Sequence, residues 1–190
     1  NIKKFGVPVI VAINHFDIDH EEEVNALTKW CVDNGYEVSF LDGFLKGGEG
    51  SKDLARKVVN MLDTTKSNYH PLYDVNDSVE NKITTICKEI YRAGNVVFTD
   101  KAKEQIAKYV AMGYGKTPIC MAKTPQSLTD DPNVIGAPKG FTITIREVNL
   151  SAGAGFLVCL TGDIMTMPGL PKVPLANKID LVDGKIVNLS

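Results

Sequence analysis

The run Val7-Pro8-Val9-Ile10-Val11-Ala12-Ile13 contains no polar side chain and ends abruptly at Asn14. A strand with one wet face alternates apolar and polar residues. An unbroken apolar run instead suits a parallel strand with helices over both faces. The next residues fit that frame. Asp19 to Asn34 predicts a helix, with Asp19 as its cap, Glu21, Glu22 and Glu23 at its positive end, and Asn34-Gly35 as its stop. Val24, Leu27, Trp30 and Cys31 share its expected inner face. Tyr36 to Leu41 reads as a second strand, which makes the opening a βαβ unit, right-handed by default.

Downstream, Gly43-Phe44-Leu45-Lys46-Gly47-Gly48-Glu49-Gly50 is too rich in glycine for a regular element, and Ser51 is expected to cap the helix that follows. Asp63 to Ser78 is polar and irregular. Val79, Ile83, Ile86 and Ile90 recur at helical spacing, up to a stop near Gly94. Beyond it we expect a strand at Val96 to Phe98, a helix capped by Thr99 and stopped at Gly113, and a strand at Pro118 to Ala122. A long loop from Lys123 to Gly140 carries three prolines. Phe141 to Ile145 alternates as a half-buried strand should. The turn Ser151-Ala152-Gly153-Ala154-Gly155 precedes an apolar strand at Phe156 to Leu160, and the tail offers short strands near Ile179 and Ile186. The fold class expected is α/β: a parallel βαβ unit followed by a smaller mixed α/β C-terminal domain. The boundary is placed near Ala93-Gly94, giving domains 1–92 and 93–190, with the Asp63–Ser78 loop as the competing position.

Composition narrows the function. The chain has 190 residues, with 21 Lys and Arg against 23 Asp and Glu, so its net charge is -2. It has no basic excess for nucleic acid, and an anionic ligand needs a local site. No apolar run reaches membrane length and no signal peptide is evident. Cys31, Cys87, Cys120 and Cys159 form no CxxC pair, and buried free thiols in a reducing, cytoplasmic setting are expected. Asn1 is not an initiator, so a chain opening a few residues before a buried strand is expected to be a fragment.

Ligands of open α/β sheets bind outside the carboxyl ends of the strands. Asn14, His15 and Phe16 lie at one such end and Asp42 to Gly50 at the other, so one βαβ unit should bring them side by side. Phe16 and Phe44 stand outside any periodic stripe. Each can be a lid on the local core, or the two can clamp a flat heterocycle. The glycine segment can be a simple turn or an anion cradle, with Lys46 as a cation. It is not a Walker loop, because Gly50-Ser51-Lys52 lacks the order and spacing of GxxxxGK[ST]. The histidines form no metal pattern and are expected at the surface. Ser151 lacks a GxSxG setting, and no self-sufficient catalytic set is visible.

Several strings nonetheless resemble the formate–tetrahydrofolate ligases. They are Pro8 through Phe16, Lys46-Gly47-Gly48-Glu49-Gly50, Cys120 through Thr124, Ser127 through Pro132, Ser151 through Phe156, and Thr161 through Pro171. The resemblance runs from about Phe5 to the last residues. It implies an ATP-dependent ligase of one-carbon metabolism, P-loop-NTPase-like in fold. Formate takes a phosphate from ATP, held with Mg2+, and the resulting formyl phosphate formylates tetrahydrofolate. The family's phosphate-binding loop is not among these residues, so the resemblance implies the folate side of the site and an inactive segment when isolated.

By position, Phe16 and Phe44 match the family's pterin sandwich, with Phe40 as a weaker wall. Asn14, Lys46, Gly47, Gly48 and Gly50, and less directly Ser151 and Gly153, become nucleotide- or folate-facing candidates. No intrinsic cofactor, no metal site and a homotetramer are implied. Departures include Phe44 where Trp is usual, Asp17 after Phe16, and Thr124-Pro125-Gln126 in place of Thr-Gln-Tyr. The competing expectation is a non-catalytic α/β module whose glycine loop serves assembly or anion binding.

Overall fold

The fold is described from a computed structural model covering residues 1–16, 18–162 and 172–188. Asp17 and the segment Asp163–Pro171, which carries most of the last family-like string, lie outside the described residues. The chain is mixed α/β and divides into two compact units, Asn1–Asp74 and Val75–Ser190. The division falls in the polar loop rather than at Ala93-Gly94. The helix expected to close the first domain contacts strands of the second unit.

In the first unit, β1 (Ile10–Asn14) and β2 (Glu37–Leu41) pair in parallel, with Ile10 opposite Glu37 and Asn14 opposite Leu41. The strand starts later than the apolar run because Pro8 has no N–H to give a ladder. Helix α1 (Glu21–Asp33) joins the strands. Its end follows the Asn34-Gly35 signal. Gly35 takes a left-handed φ of 70°, and the Tyr36 N–H reaches back to the Cys31 carbonyl. Cys31 is buried and Val24 half-buried, but Leu27 is 45% exposed and Trp30, which stacks on Tyr36, is 54% exposed, so the expected inner face is narrower by those two residues.

A short helix α2 (Gly43–Lys46) and a long one, α3 (Gly48–Thr64), follow β2. Glycine content thus does not keep this stretch irregular, because Gly47 alone breaks the backbone, with φ 54° and ψ −135°. Ser51 lies inside α3 and is not its cap. The helix is fastened to β2 by polar contacts: buried Ser39 donates to Asp53 at 2.7 Å, and Lys57 bonds both Asp53 and the Val38 carbonyl. Val11 and Ile13 line a groove with Val24 and Leu27 of α1, while Ile10 and Ala12 line another with Leu54 and Met61 of α3. The strand therefore has a helix on either face, as its apolar run requires.

The second unit holds a four-stranded sheet in the order β3 (Asn95–Phe98), β5 (Thr142–Ser151), β6 (Phe156–Thr161), β4 (Ile119–Ala122). The outer pairs are parallel and the central pair β5–β6 is antiparallel. β5 extends beyond the predicted five residues. A register irregularity between Ile145 and Glu147 breaks the alternation that marks a strand in sequence. Helices α4 (Val79–Glu89) and α5 (Asp100–Ala111) are capped by Ser78 and Thr99, whose side chains accept from Asn81 N–H and Ala102 N–H. Ile83, Cys87, Ile106, Ile143, Ile145, Leu157 and Cys159 form the core. A hairpin, β7 (Asp180–Val182) with β8 (Lys185–Val187), pairs the tail with itself. No helix of the described residues is long and apolar enough to cross a membrane.

Three of the four free cysteines are buried as expected, but Cys120 is exposed. Burial pushes the Cys87 and Cys159 thiols up to about 12, which keeps them protonated and unreactive.

Lys82 is a residue that hydropathy reading misses. Its side chain is completely buried, and its ammonium donates to the carbonyls of Gly115 and Thr117 at 2.7 and 2.9 Å and of Val75 at 3.3 Å. Burial pulls its pKa below the ordinary lysine value. The charge is tolerated because three acceptors replace water, and it ties the start of α4 to the turn after α5. Replacing it leaves those carbonyls without a donor. Lys82→Met should cost about 2–4 kcal/mol, seen as a lower urea midpoint at unchanged m-value; a midpoint within experimental error of wild type would show the carbonyls find other donors.

Candidate functional site

The parallel ladder does not stop at Asn14. The His15 N–H donates to the Leu41 carbonyl at 2.9 Å, which draws the two strand ends together past the last strand residues. Beyond them the chain opens into loop and short helix, so the next side chains project from the carboxyl edge of the sheet.

Phe16 and Phe44 meet there. Their ring centroids are 6.0 Å apart with planes inclined by 49°, and they are 44% and 61% exposed. They are therefore neighbours at the surface rather than lids packed into the core. Their separation is that of an aromatic pair in direct contact. A flat ring between them needs roughly 7 Å between parallel faces, about two aromatic contact distances, so the rings must open to admit one. Phe40 is oriented otherwise: its ring lies 4.7 Å from that of His15.

Phe16 is held by Asp19. Its N–H donates to Asp19 Oδ2 at 2.8 Å, while the Asp19 N–H returns to the Phe16 carbonyl at 2.9 Å. Asp19, expected as the α1 cap, thus serves the loop; the residue before α1 is His20, whose side chain makes no cap. Phe44 is carried by α2, and this helix is set by close backbone approach. Asp42 N–H donates to the Gly50 carbonyl at 3.2 Å, and a Cβ on Gly50 would stand 2.1 Å from the Asp42 carbonyl oxygen.

The glycines consequently divide by reason. Gly47 supplies a backbone conformation closed to L side chains, and Gly50 supplies clearance. Gly48 meets nothing within 4 Å, so neither reason applies to it. Ser151 and Gly153 occupy the β5–β6 turn of the second unit, where Ser151 O accepts from Ala154 and Gly155 N–H; Gly153 has open space around it.

Charge at the strand ends is organised around Asp42, which is only 6% exposed. Lys46 donates to its Oδ2 at 2.7 Å, and His15 Nδ1 lies 3.7 Å from its Oδ1. The Lys46 hydrogen bond, ahead of a smaller contribution from His15, holds the carboxyl below its ordinary pKa. Lys46 is thus already engaged, and an anion must compete with Asp42 for it. His15 is not a plain surface residue, since its Nδ1 is buried. Asn14 is exposed and lines the β1–α1 groove with Asp19 and Glu23. Among the described residues no group of three or more His, Cys, Asp or Glu is arranged to hold a metal.

Two consequences are measurable. Gly50→Ala should lower stability by about 1–3 kcal/mol and disturb α2, whereas Gly48→Ala should be neutral or slightly stabilising; equal effects would mean that Gly50 is not the clearance point. Asp42 has a depressed folded pKa, so its contribution exists above the unfolded pKa near ~4 and disappears as pH falls through the folded value. Asp42→Asn should therefore lower the urea midpoint at neutral pH and converge on wild type in strong acid. A gap that persists there would assign the loss to shape rather than charge.

The family model described as formate–tetrahydrofolate ligase matches residues 1–190.

Proposed function

Since the chain belongs to the formate–tetrahydrofolate ligase family, we propose that its first unit supplies the pterin-binding wall of that ligase, with Phe16 and Phe44 as the two faces. The observation carrying this reading is the exposed aromatic pair at the carboxyl ends of two parallel strands. A reduced pterin is a flat, polar-edged heterocycle. Parting the two rings and filling the space between them buries apolar faces while leaving the ligand edge to polar groups. Asn14 and Lys46, at the same strand ends, are the polar neighbours, and Gly47 and Gly48 are the positions of the glycine segment with open space around them. Phe40, turned toward His15, acts behind the pair.

The reaction assigned to the ligase starts with formate attacking the terminal phosphate of ATP, with ADP as leaving group. The folate amine then attacks formyl phosphate, a C–N bond forms, phosphate departs, and the amine loses a proton. Such chemistry needs positioning and charge neutralisation more than a protein nucleophile. The 190 residues contain no Walker sequence, so the part proposed for them is folate binding, not phosphoryl transfer. The ligase reading also carries cytoplasmic location and tetrameric assembly as proposals.

Calorimetry with tetrahydrofolate and with ATP tests the assignment. Tetrahydrofolate should bind the chain, and Phe44→Ala should weaken it about tenfold, as expected for losing one stacking face, with the ATP response unchanged. Anion binding without pterin preference would support the non-catalytic module instead, and an unaltered folate affinity in Phe44→Ala would remove that ring from the site.

A further inference from the structure

Phe16 and Phe44 reach the same edge by unequal means. Phe44 rides on α2, closed by the Lys46 N–H donating to the Asp42 carbonyl at 3.0 Å, so helical hydrogen bonding fixes its backbone. Phe16 stands between β1 and α1, outside any helix or strand. The extended ladder ends one residue earlier, at the His15 N–H. Burial does not anchor this stretch either, since Phe16 is 44% exposed and Ile18 85%. What closes it is a reciprocal pair of bonds, Phe16 N–H to Asp19 Oδ2 at 2.8 Å and Asp19 N–H to the Phe16 carbonyl at 2.9 Å.

That carboxylate serves the loop where the neighbouring helix has a use for one. The first N–H groups of a helix lack partners, and a short polar side chain just before it supplies one. His20 occupies that place in α1 and gives no side-chain bond. The acid lies one residue earlier and turns back to Phe16. Where a local rule of helix stability is given up, a site is the usual reason. Two bonds on the loop backbone also fix the direction of the Phe16 Cα–Cβ bond, and with it the few rotamers from which the ring can meet a ligand.

We propose, resting on the folate reading above, that Asp19 is a positioning residue for pterin binding: it closes the Phe16 loop before the ligand arrives and keeps that ring as the standing wall of the slot. Without the tether the loop backbone is ordered only on binding, and the entropy lost then subtracts from affinity. Asp19 acts through Phe16 and not on the ligand. Its role needs an acceptor rather than a charge. The side-chain carbonyl of Asn offers that acceptor in the same place. A carboxylate that only stabilised the positive end of α1 would affect folding without any dependence on Phe16.

Amide hydrogen exchange reads the tether without a ligand. The Phe16 N–H should be protected in the wild type and in Asp19→Asn, and open in Asp19→Ala; exchange at the unstructured rate in the wild type overturns the proposal. Calorimetry with tetrahydrofolate then reads the role. Asp19→Ala should weaken binding roughly fivefold to tenfold, the effect of ordering about one residue of backbone, and Asp19→Asn should stay within about twofold of wild type. Added to Phe16→Ala, the Asp19→Ala change should cost nothing further, because residues that act through one another are not additive. Equal losses in both backgrounds overturn the proposal by making Asp19 a folding or contact residue. A loss in Asp19→Asn as large as in Asp19→Ala overturns it by making charge the cause. Unchanged affinity in Asp19→Ala, beside a weakened Phe16→Ala, removes Asp19 and leaves the aromatic site standing. Wild-type affinity in Phe16→Ala, or no heat from the wild type, removes the folate reading and this role with it.

Discussion

The parallel hydrogen-bond ladder between β1 and β2, extended by the bond from His15 N–H to the Leu41 carbonyl, is what every other feature of the candidate site presupposes. It sets His15 against Asp42, and it brings the segments that carry Phe16 and Phe44 to one edge. A parallel pair cannot be joined by a tight turn, so α1 is the required crossover. The site is a consequence of strand register before it is a property of any side chain. Slipping the register by one residue would turn His15 and Asp42 to opposite faces.

Around that ladder the polar groups serve order as much as chemistry. Asp19 fixes the Phe16 backbone, Asp42 accepts from Lys46, and Asp53 joins Ser39 to Lys57. Each of these carboxylates has a donor close by, which ties together the segments it joins. The second unit uses the opposite device, a buried ammonium among carbonyls at Lys82. In both cases the polar group is kept because its partners replace water.

The aromatic pair shows the limit of such pre-organisation. The rings touch each other, and being largely exposed they have room to part. Closed on themselves they shield apolar surface from water in the absence of a ligand. A flat guest would exchange one ring contact for two, and exposed side chains change rotamer quickly enough for that exchange to be unhindered.

Much of the fold could be read along the chain. The apolar run ending at Asn14 foretold a parallel strand, Asn34-Gly35 the end of α1, and Thr99 the cap of α5, because each depends on local backbone chemistry or on a face that must leave water. The family-like strings likewise pointed to the ligase that the family match bears out. Other features had no local signal. Asp19 reads as a cap until the loop claims its carboxylate, Ser51 reads as a cap until α3 begins before it, and Lys82 reads as a surface lysine until three carbonyls from outside α4 surround it. The partnership of His15 with Asp42 joins residues far apart in sequence and exists only because the ladder aligns them. Periodicity reports which face of an element is dry. Which polar groups meet depends on how separate elements pack, and that information is held by no single stretch of residues.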